Sequence, residues 1–301
     1  MSEVRDRYQD PGAFRTALTQ RLRRLAESSP WTLAELQRQF AYDRFLQRLN
    51  AVDDGWVLKG AAALLAREVS TRATRDVDLY RRAELVEAET ALREAVALDL
   101  GDWFTFEAGR SRQMTAGVIG LTIALTARIG NREWERFNVD LVGEAAGMTG
   151  EPETAPALAR IDLVELDQPG YRVWPLADHV ADKLAATFET YGRTNRASTR
   201  VKDLIDLVVI AHCAHLSAQD TIAALRAQAS RRDIVLPTRF DIPDMDHWSR
   251  HYPIEARKVR GLTEQTLADA VSVVRNFVDP ILAGTATGSW DPVTLRWRRR
   301  F

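Results

Sequence analysis

The chain has 301 residues, of which 46% are hydrophobic and 28% are charged, and its formal net charge is −1. This composition is typical of a folded protein and excludes a wholly disordered chain. No run of about 18 apolar residues is available to span a bilayer, so the sequence predicts no membrane partner.

The N-terminal sequence and the cysteine count favour a cytoplasmic protein. Residues 1–7 lack the apolar segment of a signal peptide, and the single Cys213 cannot form an internal disulfide bond. A chain of this length typically makes two lobes. We place the boundary near Gly170, which gives an α/β lobe over residues 1–170 and a mostly helical lobe over residues 171–301.

Two helices are predicted in the first 50 residues. Asp10 followed by Pro11 is a capping residue with proline in the first turn, which predicts a helix that ends at residues 28–30. Apolar residues then recur at helical spacing over residues 32–49. This recurrence predicts a second helix that packs through one apolar stripe.

The next stretch is predicted to form a strand, a glycine turn, a helix and a second strand. Residues 56–58 are β-prone, Gly60 opens an Ala- and Leu-rich run, and residues 76–79 form the second strand. Side chains alternate along a strand, so Asp76 and Asp78 point to one face. Two such carboxylates repel each other unless a cation lies between them, and Mg²⁺ prefers carboxylates with substrate phosphates. The N–H groups after Gly60 favour a phosphate, although the polar face of an exposed strand carries the same Asp-x-Asp pattern by chance.

A third acid follows a helix predicted over residues 83–97. Asp140 lies between two apolar residues of a predicted strand, so it faces either solvent or a functional cleft, and spacing alone favours solvent. Gly130-Asn131 is a hairpin signal just before that strand. The predicted strands of this region cover residues 103–107, 117–129, 136–142 and 160–166.

Two charged clusters lie in the helices predicted after residue 170. Residues 175–189 form an amphipathic helix in which Lys183 lies beside the apolar stripe, where a lysine usually extends to solvent. Asp203 and Asp206 share one face of the next helix, with Lys202 adjacent. Internal ion pairs of an ordinary helix would give the same pattern.

The last part of the chain is predicted to be a helix followed by a basic tail. The helix covers residues 263–282, and the tail 295–301 mixes basic and aromatic residues, as RNA-contacting segments do. Flexible basic tails of proteins that bind no RNA have the same composition.

Three motifs occur in order along the chain. The first joins Leu58-Lys59-Gly60 to Arg72-x-Thr74-x-Asp76-Val77-Asp78-Leu79, the second is Ala181-Asp182-Lys183, and the third is Arg200-x-Lys202-Asp203-x-x-Asp206-Leu207. Together they resemble the AbiEii/MenT family of nucleotidyltransferase toxins, within the polymerase-β-like nucleotidyltransferase superfamily. One position departs from the family pattern, because Ala61 stands where the family has a second Gly or Ser.

The resemblance implies a fold and an activity. The implied fold has an N-terminal polymerase-β-like lobe with a mixed sheet and a C-terminal mostly helical lobe, with the active site in a central cleft. The implied activity is transfer of a nucleoside monophosphate from an NTP onto the 3′ acceptor end of tRNA, with release of pyrophosphate. Such an enzyme blocks translation and is the toxin of a toxin–antitoxin pair, so the expected partners are an NTP, tRNA and a cognate antitoxin.

The resemblance also implies roles for individual residues. It implies Mg²⁺ as the cofactor, bound as two ions. We expect the carboxylates that hold the metal to converge. The expected metal ligands are Asp76, Asp78 and Asp140, which with Lys183 and Asp203 form the expected catalytic set. The expected nucleotide-binding residues are Lys59, Gly60, Arg72, Lys183, Lys202 and Asp206.

Two alternatives stay open from the sequence. The same site could transfer a nucleotide to a small molecule or to a protein side chain. A non-catalytic interaction module of the same fold is the alternative from a different class, and Ala61 is the feature that favours it.

Overall fold

The computed structural model describes residues 4–69, 73–114, 119–163, 166–190 and 196–299. The chain divides into two compact units. The N-terminal unit comprises Met1–Arg67, Ala73–Gly147 and Glu153–Val173, and the C-terminal unit comprises Glu68–Arg72, Met148–Pro152 and Trp174–Phe301. The central cleft stays a prediction.

A mixed sheet forms the framework of the N-terminal unit. Within the described residues it has seven strands in the order β3-β4-β5-β2-β1-β7-β6. Strands β2 and β5 are parallel, as are β1 and β7, and the other neighbours are antiparallel. The strands are β1 (Trp56–Lys59), β2 (Asp76–Arg81), β3 (Phe104–Gln113), β4 (Gly120–Ile129), β5 (Arg132–Val142), β6 (Glu153–Ala155) and β7 (Tyr171–Val173).

The predicted hairpin between β4 and β5 is confirmed. Ile129 pairs with Arg132, so Gly130 and Asn131 form a two-residue connection. Gly130 has a φ of 56°, a conformation that glycine adopts without steric cost.

The strand predicted over residues 160–166 is wrong for the residues of this segment that the structure describes. The backbone there bonds to side chains instead of to a neighbouring strand. The Gln168 side chain accepts from the Ile161 N–H and donates to the Ile161 carbonyl oxygen, at 3.1 and 2.8 Å. Just before the segment, the Asp43 carboxylate accepts from the N–H groups of Leu158 and Ala159. Side chains that satisfy the backbone in this way compete with sheet formation.

The two helices predicted in the first 50 residues are confirmed, and each begins at a side-chain cap. The Asp10 carboxylate accepts from the Ala13 N–H at 2.8 Å, and Thr32 forms a capping box with Glu35. The helices are α1 (Val4–Arg7), α2 (Pro11–Ser28), α3 (Leu33–Val52), α4 (Gly60–Ala66) and α5 (Leu85–Ala97).

Helix α3 buries charge as well as an apolar stripe, which the sequence did not predict. Arg44 and Arg48 are buried and donate to the Asp102 carboxylate at 2.8 and 2.7 Å. Burial opposes the ionised form of Asp102, but the two guanidinium groups hold its pKa below the usual value. This buried ion network fixes α3 to the segment between α5 and β3.

The C-terminal unit is mostly helical, and its described residues also contain a small antiparallel sheet in the order β10-β9-β8. Its elements are α6 (Leu176–Phe188), α7 (Val201–Cys213), β8 (Leu216–Ser217), α8 (Ala218–Arg232), α9 (Met245–Ala256), α10 (Leu267–Leu282), β9 (Ser289–Asp291) and β10 (Arg296–Arg298). No helix of the described residues is both long and apolar enough to cross a membrane.

The described part of the basic tail belongs to this small sheet, so it is not a flexible extension. Strand β10 pairs with β9, and the Trp297 indole N–H donates to the Phe277 carbonyl oxygen at 2.8 Å. The Trp297 ring stacks on the Phe277 ring at a centroid distance of 5.9 Å. Contact of the tail with RNA stays a prediction.

Candidate active site

Backbone pairing brings four polar residues into one row across the sheet. Lys59 on β1 lies opposite Asp78 on β2. Asp78 lies opposite Asp140 on β5, and Asp140 lies opposite Thr122 on β4. Directly opposed residues of neighbouring strands carry their side chains on the same face. We call Lys59, Asp78, Asp140 and Thr122 the polar row.

Asp76 lies on the same side of the sheet as the polar row. It precedes Asp78 by two residues, and the intervening Val77 is buried on the other side, as alternation requires. Asp76, Asp78 and Asp140 are each half-buried. The prediction that Asp76 and Asp78 share a face is confirmed, and Asp140 belongs to the same surface, which we call the acidic face.

Two neutral side chains hold the carboxylates of the acidic face. The Asn138 amide donates to Asp76 Oδ1 at 3.2 Å, and the Thr122 hydroxyl donates to Asp140 Oδ1 at 2.5 Å. Asn138 lies opposite Asp76 on β5. Our sequence reasoning missed both residues. Alternation from Asp140 could have identified Asn138, whereas Thr122 depends on the β4–β5 register.

Asp140 differs electrostatically from an exposed aspartate. Burial raises the pKa of its carboxyl group, and the negative charge of Asp76 raises it further. The hydrogen bond from Thr122 opposes this shift because it stabilises the ionised form. Asp140 is therefore a half-buried acid whose charge depends on its neighbours.

Gly60 makes room for the Asp78 carboxylate. Its φ is 59°, which side-chain-bearing residues rarely adopt. A Cβ atom at this position would lie 1.7 Å from Asp78 Oδ2. Glycine is therefore required here by the acid as well as by the turn. Helix α4 after it has seven residues.

The acidic face offers carboxylate oxygens as ligands for a hard divalent cation. The described residues contain no group of three or more His, Cys, Asp or Glu side chains that could hold a metal ion. Asp140 lies on the same face as Asp76 and Asp78, whereas the convergence of the three carboxylates on a metal ion stays a prediction. Carboxylate oxygens are ligands that Mg²⁺ prefers, so the residues of the acidic face fit this ion.

In the C-terminal unit, Lys183 pairs with two acids. Its Nζ atom lies 3.0 Å from Asp203 Oδ1 and 2.6 Å from Asp206 Oδ2, and only 7% of the residue is exposed. The expectation of a surface lysine is therefore wrong. Position 183 on α6 faces positions 203 and 206 on α7, which are one turn apart.

The charged forms of both Lys183 and Asp203 are stabilised in this cluster. Burial lowers the pKa of Lys183, but the charges of Asp203 and Asp206 outweigh it, so the net shift is upward. Burial likewise disfavours the Asp203 carboxylate, yet the charges of Lys183 and Arg200 lower its pKa to about 2. Lys183, Asp203 and Asp206 form a buried ion triad.

Lys202 and Arg72 are the remaining predicted nucleotide-binding residues. Lys202 is exposed, and its Nζ atom lies 4.0 Å from a Glu255 carboxylate oxygen. Arg72 lies outside the described residues. The roles assigned to all these residues stay predictions.

Comparison with known proteins identifies a matching family and similar structures. The family described as "Nucleotidyl transferase AbiEii toxin, Type IV TA system" matches residues 44–277, which include the polar row and the ion triad. JHP933 from Helicobacter pylori is 14% identical, with 83% of this chain and 92% of that chain covered and a TM-score of 0.45. A putative nucleotidyltransferase from H. pylori is 13% identical, with coverages of 84% and 96% and a TM-score of 0.46. The nucleotidyltransferase toxin MenT4 from Mycobacterium tuberculosis is 17% identical, with coverages of 89% and 98% and a TM-score of 0.47. No curated protein matches the chain.

Gly60→Ala tests the space beside Asp78. The matched control is Gly261→Ala, because Gly261 also has a positive φ, of 77°, but a Cβ atom there would meet nothing within 4 Å. We expect Gly261→Ala to lower the unfolding free energy by about 1–2 kcal/mol through backbone strain alone. Gly60→Ala should cost at least about 1 kcal/mol more, because it also displaces the carboxylate. Equal losses in urea unfolding would show that Asp78 does not need this space.

Lys183→Met tests the buried ion triad. Removing the lysine takes a buried counter-charge away from two carboxylates, of which Asp203 keeps its ion pair with Arg200. We therefore expect the unfolding free energy to fall by about 3–5 kcal/mol. The exposed Lys202→Met is the control, and it should change stability by no more than about 0.5 kcal/mol. Adding Asp203→Asn and Asp206→Asn to Lys183→Met should recover most of the loss, since it removes the negative charges that Lys183 compensates. Urea unfolding of the three variants measures this, and equal stability of the two lysine variants would contradict it.

Proposed function

This chain belongs to the AbiEii family of nucleotidyltransferase toxins, and we propose on that premise that it transfers a nucleoside monophosphate from an NTP to the 3′ end of tRNA. The reacting hydroxyl attacks the α-phosphorus, the new phosphodiester bond forms there, and pyrophosphate leaves. The observation that carries the proposal is the acidic face, where Asp76, Asp78 and Asp140 share one side of the sheet beside Lys59.

We assign the metal ligands to the acidic face. Asp76 and Asp78 would hold two Mg²⁺ ions, with Asp140 as a ligand of the ion on the side of the attacking hydroxyl. Such ions neutralise phosphate charge and lower the pKa of a bound hydroxyl. Three aspartates provide the oxygen ligands that this chemistry needs.

Asp140 is the residue proposed to orient the attacking hydroxyl and to take up its proton. The Thr122 hydroxyl occupies Oδ1, which leaves Oδ2 for the substrate. Asp76, held by Asn138, faces the same surface. The two neutral partners therefore set the positions of acids that would otherwise move apart through repulsion.

Lys59 is the cation that the sheet itself places beside the acids. Opposite Asp78 in the register, its ammonium group can contact the NTP phosphates, which gain charge as pyrophosphate leaves. Gly60 keeps the Asp78 carboxylate uncrowded. Arg72 and Lys202 are proposed as further phosphate contacts.

Lys183 is proposed to bind the triphosphate, with Asp203 and Asp206 as the groups that position it. The two carboxylates hold its Nζ atom at 3.0 and 2.6 Å, which keeps the ammonium ionised. A lysine fixed in this way has already lost its side-chain entropy, so a phosphate contact costs less.

The proposed biological role is that of the toxin of a toxin–antitoxin pair. A nucleotide added to the acceptor end of tRNA blocks aminoacylation and therefore translation. A cognate antitoxin protein would suppress this activity in the cytoplasm, where the tRNA substrate is found.

Incubation of the protein with each α-³²P-labelled NTP, Mg²⁺ and total RNA tests the proposal. We expect label on tRNA, and loss of at least about a hundredfold in rate for Asp78→Asn, because an electrostatic contact to the transition state is removed. Asp99→Asn is the control, since Asp99 is exposed and pairs with Arg5.

The other outcomes of this experiment would each change the proposed function or the proposed site. Label on a small molecule or on protein would replace tRNA as the acceptor. No label with any NTP would favour a non-catalytic interaction module. Normal rates for Asp78→Asn would exclude the acidic face as the active site. The stabilised triple variant at Lys183, Asp203 and Asp206 should be inactive, and normal activity would reduce the ion triad to a structural role.

A further inference from the structure

The N-terminal unit carries a second polar site between α2 and the β4–β5 hairpin. A cavity of about 680 Å³ lies there, lined by three arginines, Arg15 and Arg23 from α2 and Arg132 from β5. The other polar side chains of the lining are Thr16, Thr19, Gln20 and Asn131. The hydroxyl groups of Thr16 and Thr19 donate to the Gly12 and Arg15 carbonyl oxygens of α2, so the side-chain amides are the further donors. The described lining residues include no Asp or Glu. We call Arg15, Arg23 and Arg132 the arginine surface.

The charges of the arginine surface are not neutralised by the part of the chain that the structure describes. Arg23 and Arg132 are exposed, and neither side chain forms a hydrogen bond or an ion pair with another described residue. Arg15 is held in place differently. It donates to the Glu133 carbonyl oxygen at 2.9 Å and lies 5.1 Å from the centroid of the Trp134 ring.

Two of these cations also repel each other. Burial lowers the pKa of Arg15, and the charge of Arg132 lowers it further. Like charges held close together by a folded backbone are unfavourable unless an anion lies between them. The acidic face likewise holds charges of one sign together, with the sign reversed.

The basic character continues along α2. A second cavity, of about 560 Å³, is lined by Arg21, Arg24 and Arg160, and also by Asp162. Helix α2 contains four arginines, and Glu27 is the only acidic residue in its 18-residue sequence. A ligand that extends along the helix would therefore meet positive charge over most of its length.

We propose that the arginine surface binds the phosphodiester backbone of the RNA whose 3′ end reacts at the acidic face. The proposal rests on the proposed function for the identity of the polyanion. Guanidinium groups and side-chain amides are among the donors that contact nucleic-acid phosphates. Protein partners usually meet aromatic residues at the centre of an interface, and the described lining residues include no aromatic side chain.

The two sites lie on opposite sides of the sheet. Arg132 pairs with Ile129, whose side chain is buried on the apolar side, whereas Asp140 belongs to the acidic face. Arg132 and Asp140 are eight residues apart on strand β5, which is a distance of roughly 27 Å at about 3.4 Å per residue. An RNA that reaches both sites would therefore pass around the sheet and span more than roughly eight nucleotides at about 3.4 Å each.

Binding of fluorescein-labelled total tRNA to the full-length protein, without NTP, tests the proposal. We expect the double variant Arg23→Gln/Arg132→Gln to raise the Kd at least about tenfold at about 0.1 M salt, and to reduce the slope of log Kd against log salt by about two. The matched control is Arg93→Gln/Arg128→Gln, which removes the same charge from arginines paired with Glu89 and Glu107. The control should bind as the unmodified protein does.

Two further variants separate this proposal from its alternatives. Arg23→Lys/Arg132→Lys should keep most of the salt dependence, which confirms that the charge is the cause. Asp78→Asn should bind tRNA normally even though transfer is lost, so a failure of the proposed reaction is distinguishable from a failure of this surface. Thermal unfolding checks that each variant is folded.

The proposal is overturned if Arg23→Gln/Arg132→Gln binds tRNA with an unchanged Kd and salt slope. It is also overturned if the double variant keeps tRNA binding but loses binding of polyglutamate. That result would assign the arginine surface to an acidic protein.

Discussion

The register of four neighbouring strands is the constraint on which the candidate site depends. Pairing of β1 with β2, β2 with β5 and β5 with β4 places Lys59, Asp78, Asp140 and Thr122 in one row. A slip of one residue would turn Asp140 into the core and expose Val139 or Leu141, both now buried. The apolar side of the sheet therefore fixes the register, and the register assembles the acids. Stability and function are linked through the same backbone hydrogen bonds.

Charged side chains are compensated differently in the two units. In the C-terminal unit, Lys183 is fully enclosed with Asp203 and Asp206, so charge and counter-charge lie within hydrogen-bonding distance. On the acidic face, the described hydrogen bonds to Asp76 and Asp140 come from neutral side chains. The face thus keeps an excess of negative charge, which a divalent cation would neutralise. A ligand of opposite charge is expected wherever a fold leaves charge of one sign uncompensated.

Local sequence patterns predicted the structural features that depend on residues close together in the chain. Alternation placed Asp76 and Asp78 on one face, the Asp10-Pro11 pair located the start of α2, and apolar spacing located α3. Interactions between distant segments were not accessible in this way. Thr122 meets Asp140 through strand pairing, and the acids around Lys183 come from another helix. The wrong strand at residues 160–166 has the same origin, because the side chains of Asp43 and Gln168 bond to that part of the backbone.

The central claim is that the acidic face binds the catalytic cation together with the nucleotide. A crystal structure with Mn²⁺ in place of Mg²⁺ and a non-hydrolysable NTP analogue tests it most directly, because Mn²⁺ gives an anomalous signal. We predict an anomalous peak bound by carboxylate oxygens of Asp76 and Asp78, at coordination distances of roughly 2.0–2.2 Å, with the α-phosphate of the analogue beside it. Nucleotide bound elsewhere, with no peak at these two carboxylates, would contradict the account.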